Sequence, residues 1–247
     1  MLIEQSAYAN RWRGASPAAK GLFALAGLVA SFAARTPTLA VLVTLVLAGV
    51  TLFGARIPMG KWARVAAPAL GFLLIGSLSL LVSPGFDTVN GDLMLHWLPE
   101  GSAPFFRLVS RSAAALAALL FLVMTTPLID LIALLRRLKM PEVLLELMVV
   151  CYRMLFVFSE ALHDTLTAQS ARLGYATPRL ALRSLGQLTA GLTLQIWSRA
   201  HDLHIAALAR NADGPLRFLE PSFAHAQRDL AMAATGGLGL ILMAVLA

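Results

Sequence analysis

The chain has 247 residues, 58% of them hydrophobic and only 13% charged, with mean hydropathy +0.75 and a formal net charge of +7. Soluble domains carry roughly a quarter charged residues, so an ordinary water-soluble globule is excluded and lipid is the expected solvent for much of the surface. In a soluble protein the basic balance would point to nucleic acid. In a membrane protein it points to cytoplasmic lysine and arginine, and no nucleic-acid partner is expected.

Five apolar runs are long enough to cross or nearly cross a bilayer core of about 30 Å: residues 21–34, 39–54, 65–82, 108–124 and 230–247. The first has basic residues before it and Ser31-Phe32-Ala33-Ala34 at its end, so it resembles a signal peptide; it is read as a retained span. Pro37 separates the first two runs and predicts a tight hairpin between them.

Charge sets the expected orientation. The N-terminal arm carries Arg11, Arg13 and Lys20, and the second connection adds Arg56, Lys61 and Arg64. The third connection, 83–105, has Asp87, Asp92 and Glu100 and no lysine or arginine. Arg136, Arg137, Lys139 and further arginines up to Arg217 follow the fourth run. The positive-inside rule then puts the N-terminus in the cytoplasm and, after five crossings, the C-terminus outside. Arg35, Arg107 and Arg111 are the outer minority, and the last two are expected to snorkel to the interface.

About a hundred residues between the fourth and fifth runs do not read as simple spans. A short helix is predicted over 128–138, ending before Pro141. A long one over 142–173 would reach roughly 48 Å, apolar in its first half and polar in its second. Thr177-Pro178 breaks the chain and starts a second long helix over 179–210. Its apolar stripe is Leu185, Leu188, Leu192, Ile196, Ala200, Leu203 and Ala207, with Ser184, Gln187, Gln195, Ser198 and Asp202 opposite. The two long helices are expected to pack on each other.

Several chemical signals fail on spacing. Gly54-Ala55-Arg56-Ile57-Pro58-Met59-Gly60-Lys61-Trp62 resembles a phosphate loop, but five residues separate its glycines instead of four. Trp62 also stands where a magnesium-binding hydroxyl is needed. His201 and His204 share a helix face, yet no third metal ligand is near them, and His96, His163 and His225 are isolated. Cys151 is the sole cysteine and lies in an apolar run, so it reads as a packing residue. No catalytic residue, cofactor site or metal site is expected.

The remaining signal is a pair. Ala171-Arg172 closes the first long helix and meets Gly174; Ala209-Arg210 closes the second and meets Gly214. Arginine near a helix C-terminus is favoured by the dipole by roughly 0.3–1 kcal/mol, which accounts for either alone but not for the parallel. Alanine beside each arginine lets a partner approach closely, and a guanidinium can grip a carboxylate with two hydrogen bonds.

These residues resemble a known family, the T component of energy-coupling factor transporters, of the CbiQ type that serves cobalt uptake. Members carry two Ala-Arg-Gly motifs near the ends of two cytoplasmic coupling helices. The matches are Ala171-Arg172-Leu173 and Ala209-Arg210-Asn211, both departing at the third position. Gly54-Ala55-Arg56-Ile57-Pro58, Thr125-Thr126-Pro127, Tyr152-Arg153 and Arg183-Ser184-Leu185-Gly186 look like further landmarks.

The resemblance implies an all-α, polytopic protein of the bacterial inner membrane with about five spans. Residues 1–126 would form the membrane domain, 127–226 the coupling helices and 227–247 a last span. It implies a non-catalytic subunit tying a substrate-capture membrane subunit to two cytoplasmic ABC-type ATPases. Ala171, Arg172, Gly174, Ala209, Arg210 and Gly214 would make the ATPase contact. Cobalt is the implied cargo, with nickel or a vitamin as alternatives. From another class, a membrane-embedded enzyme would need converging polar groups, and the first four runs offer scattered hydroxyls such as Ser31, Thr44 and Ser110. A permease lining its own pore would need intramembrane charge, and those four runs hold no carboxylate.

Overall fold

Nine α-helices carry the fold among the residues described in the computed structural model, namely 2–86, 93–97, 102–210, 223 and 225–246. In chain order they are α1 (Leu2–Ala9), α2 (Pro17–Ala33), α3 (Pro37–Gly49), α4 (Met59–Leu78), α5 (Ser102–Thr125), α6 (Leu128–Arg137), α7 (Glu142–Ala171), α8 (Pro178–Ala209) and α9 (Ala226–Leu246). The helical, polytopic class expected from the sequence is what the chain adopts. Between α4 and α5 it adds a short antiparallel hairpin, β1 (Val82–Phe86) with β2 (Leu93–Trp97), pairing Val82 with Trp97 and Phe86 with Leu93.

Helix starts use one device twice. Thr36 and Thr177 stand in extended backbone, each accepting an N–H from three residues on, Leu39 and Leu180, at 3.4 and 3.3 Å. Each is followed by a proline whose missing N–H costs nothing in the first turn. α3 continues into a π-helical turn, Val50–Gly54, closed by the Ala55 N–H on the Val50 carbonyl at 3.2 Å.

Among the described residues, three helices are long and apolar enough to cross a bilayer: Pro37–Gly54, Ser102–Thr125 and Ala226–Leu246. Pro17–Ala33 is apolar but shorter. The run expected over 65–82 lies largely in α4, which opens with Lys61 and Arg64 and stops at Leu78 ahead of the β-hairpin. Phe32, Leu45, Phe53, Phe72 and Ile75 are exposed on these helices, a surface that hydrocarbon solvates and water does not.

The chain divides into two compact units. The first joins Met1–Leu131 to Pro221–Ala247. Its core is built from small side chains: Ala30, Ala34, Ala40, Ala114, Ala118 and Ala244 are buried with Val43, Leu47 and Leu240. Lipid tails are as apolar as leucine, so helices in a bilayer associate by close packing, which small residues permit. Ile57, Ala55 and Met124 form a second cluster under Trp12 and Trp62.

Polar groups in this unit are tied across long sequence separations. The Thr125 carbonyl receives Asn10 Nδ2 at 3.1 Å and Lys20 Nζ at 3.0 Å. Asp130, fully buried in the first turn of α6, forms an ion pair with Arg13, whose guanidinium lies 5.1 Å from the Tyr8 ring centre. Ser16 donates its N–H to Asp229 at 3.0 Å, so the starts of α2 and α9 lie side by side. Arg107 is exposed. Arg111 is half-buried and donates to the Ala34 carbonyl at 2.8 Å, capping the end of α2 instead of reaching outward.

The second unit, Ile132–Glu220, holds α7 and α8. They meet near their connecting turn, where Ser184 and Leu188 are the buried residues of α8. Leu192 is half-buried, but Leu185, Ile196 and Leu203 are exposed. The apolar stripe is therefore only partly covered by α7. Two straight helices that cross share contacts over few turns, and Ser184, expected on the polar side, faces α7 through its hydrogen bonds.

Candidate functional site

α7 ends in a tightly specified way. Arg172 is its cap, at φ −93° and ψ 16°. The Gly174 N–H reaches back to the Gln169 carbonyl at 2.9 Å, and the Leu173 N–H to that of Ser170 at 3.0 Å. This nested pair is the Schellman ending, which needs a left-handed residue just past the cap. Leu173 fills that position at φ 57°. The departure from glycine at the third motif position thus leaves the backbone ending intact, with leucine held where glycine is most at ease.

The turn beyond is braced by side chains. Tyr175 donates its hydroxyl to Gln169 Oε1 at 2.6 Å, and Gln169 Nε2 donates to the Ser184 carbonyl at 3.0 Å. Ser184 Oγ closes the loop on the Gly174 carbonyl at 2.9 Å. None of these three side chains stood out as functional in the sequence. The usable signal was three hydrogen-bonding residues flanking a glycine between two amphipathic helices.

Arg210 caps α8 at φ −97° and ψ 9°, with its N–H directed at the Ala207 and Leu208 carbonyls. The two arginines therefore occupy equivalent backbone positions. Both are exposed, as are the alanines before them, Ala171 and Ala209. Among the described residues neither guanidinium has an ion-pair partner. Leu173 and Leu208, within two residues of the arginines in sequence, are also exposed. Gly214 and Asn211 lie outside the described residues.

The remaining candidates separate by environment. His201 and His204 are both exposed, and no group of three or more potential ligands is assembled among the described residues. The Gly54–Trp62 stretch locks the first unit together. The Arg11 N–H bonds the Ala55 carbonyl at 3.2 Å, Arg56 turns the chain at φ 55°, and Ile57 is buried. Tyr152 packs edge-on against Phe156, and Arg153 and Arg183 are exposed.

The sequence model of the CbiQ family, described as cobalt transport protein, matches residues 9–218. Cobalt transport protein CbiQ of Rhodobacter capsulatus is 37% identical over 217 residues, covering 88% of this chain and 86% of the relative. That of Salmonella typhimurium is 29% identical over 204 residues, covering 80% and 90%. A protein of Methanocorpusculum labreanum, named as a fused cobalt transport protein CbiMQ, is 28% identical over 226 residues, covering 86% of this chain and 37% of the relative. With an apolar helical bundle and a match across most of its length, the chain belongs to the CbiQ family of cobalt transport proteins.

Proposed function

We propose that this membrane protein is the coupling subunit, or T component, of an energy-coupling factor importer in the bacterial inner membrane. Arg172 and Arg210 dock on two cytoplasmic ATPase subunits and pass ATP-driven motion to a substrate-capture membrane subunit. The observation that carries this is the equivalence of the two arginine caps, both exposed and without an ion-pair partner among the described residues. An ATPase pair offers two equivalent grooves, and two equivalent cations answer them. Acidic grooves would engage each guanidinium bidentately.

The contact surface comprises Ala171, Arg172, Gly174, Ala209, Arg210 and Gly214. The name of the fused Methanocorpusculum labreanum relative, of which this chain spans 37%, supports a second transport component working beside it. Cobalt is the proposed cargo on the strength of the relatives' names; nickel or a vitamin would use the same coupling surface. The chain itself performs no catalysis in this scheme. Charge distribution supports a cytoplasmic N-terminus and external C-terminus after five crossings. Co-purification of ATPases with the arginine variants described below tests the assignment.

A further inference from the structure

A cavity of about 440 Å³ opens inside the first unit, walled by Trp12, Phe23, Phe121 and Met232, with Lys20 and Asp229 among its lining. Its size falls in the range of pockets that hold small molecules, about 300–1,000 Å³. The two charged groups on its wall each hold a hydrogen bond within the chain. Lys20 is 4% exposed and donates to the Thr125 carbonyl at 3.0 Å, while Asp229 accepts the Ser16 N–H at 3.0 Å. Of the ten lining residues only Lys20 and Asp229 are charged, so most of the wall offers ordered water no side-chain partner. Among the described residues no group of three or more potential metal ligands is assembled there. Hydrocarbon fits.

The mouth identifies the source of that hydrocarbon. Met232 lines the cavity and is 54% exposed, so the cavity opens sideways through the face of α9. α9 is one of the helices long and apolar enough to cross the bilayer, which places that opening against lipid. One turn earlier on the same face stands Arg228, exposed, in the first turn of α9. A cation there opposes the helix dipole. Among the described residues no carboxylate pairs with it. Its position calls for an anion from outside the chain, and Arg11 and Arg13 lie toward the same end of the bundle, since Ser16 and Asp229 join the starts of α2 and α9.

We infer that this cavity is a binding site for an anionic phospholipid, one acyl chain lying between Trp12, Phe23, Phe121 and Met232 and the phosphate against Arg228. The site stands independently of the ATPase-coupling role. It requires only that the bundle sits in a membrane.

Trp12 is the reporter. The full-length protein is reconstituted in phosphatidylcholine vesicles with a minor fraction of phosphatidylglycerol, the bromine-labelled acyl chains being carried by one lipid or the other at equal mole fraction. Trp12→Phe gives the background from the other three tryptophans of the four. Quenching of Trp12 by brominated phosphatidylglycerol should exceed that by brominated phosphatidylcholine by about fivefold, the weight of one arginine at an anionic headgroup. Arg228→Gln, at an exposed position, should bring the two lipids close to equality, and Ala233→Phe, which fills the cavity, should abolish quenching by both. Equal quenching by the two lipids in the parent chain overturns the site, as does an undiminished phosphatidylglycerol preference in Arg228→Gln. Should Ala233→Phe fail to reconstitute, the Arg228→Gln comparison decides alone.

Discussion

A methyl group on Gly174 would stand 2.7 Å from Ser184 Oγ and 2.9 Å from the Gln169 carbonyl. The turn between α7 and α8 is therefore closed around a missing side chain, and the oxygen that would be displaced is the one holding Gly174 in place.

Gly174→Ala is expected to destabilise the protein by about 1–3 kcal/mol, the usual cost of forcing a group into occupied space. Leu173→Gly is expected to act oppositely. Leucine at a left-handed position costs about 1–2 kcal/mol, and glycine returns part of that as chain entropy, leaving a net gain of about 0.5–1 kcal/mol. Thermal unfolding of the two detergent-solubilised variants should shift in opposite directions. A lower midpoint for Leu173→Gly would show that the left-handed leucine is not strained.

Arg172→Ala and Arg210→Ala should each weaken the hold on the ATPases, and the double variant should release them. Truncating a buried interfacial charge costs about 2–5 kcal/mol, which is roughly 30-fold or more in affinity. ATPase co-purification and cobalt uptake measure the effect. Lysine at either position should restore it only in part, because a point charge lacks the guanidinium fork. A double alanine variant that keeps its ATPases and transports at the parent rate would reduce both arginines to helix caps.

Two nearby glycines of α9 should respond differently to one change. A Cβ on Gly237 would meet that of Ala26 at 2.6 Å, whereas nothing lies within 4 Å of one on Gly239. Gly237→Ala must separate α2 from α9 and should cost about 1–3 kcal/mol. Gly239→Ala should be neutral or stabilising by up to about 1 kcal/mol through helix propensity. Equal melting midpoints for the two would disprove the close approach of α2 and α9 at Gly237.

Cysteines introduced at Ser102 and Ser170, in a Cys151→Ala background, should be labelled by an impermeant reagent from opposite sides of the membrane. Cys151 is exposed and must be removed for the measurement. Labelling of both new cysteines from outside would invert or break the proposed topology.

Local chemistry made much of this legible in the sequence. Thr36-Pro37 and Thr177-Pro178 announce helix starts because cap and ring act within three residues. The paired arginines were visible for the same reason, since a helix end is a local event. Contacts joining distant segments were not. Lys20 reaches the Thr125 carbonyl across 105 residues and Arg111 that of Ala34 across 77, and nothing in either neighbourhood encodes the partner. The α8 stripe misled because helical periodicity reports which face is apolar, not what covers it. Leu188 is buried while Ile196 and Leu203 stay open.

α8 has a property that follows from its 32 residues alone. At 1.5 Å per residue it is roughly 48 Å long, with Arg172 just before its start and Arg210 at its end. In the proposed role it works as a calliper. The distance between the two cationic tips is set by one unbroken rod and does not change when the rod tilts or turns. Two grooves that keep their grip on both tips therefore move the rod as a whole, at a separation set by the number of residues in α8.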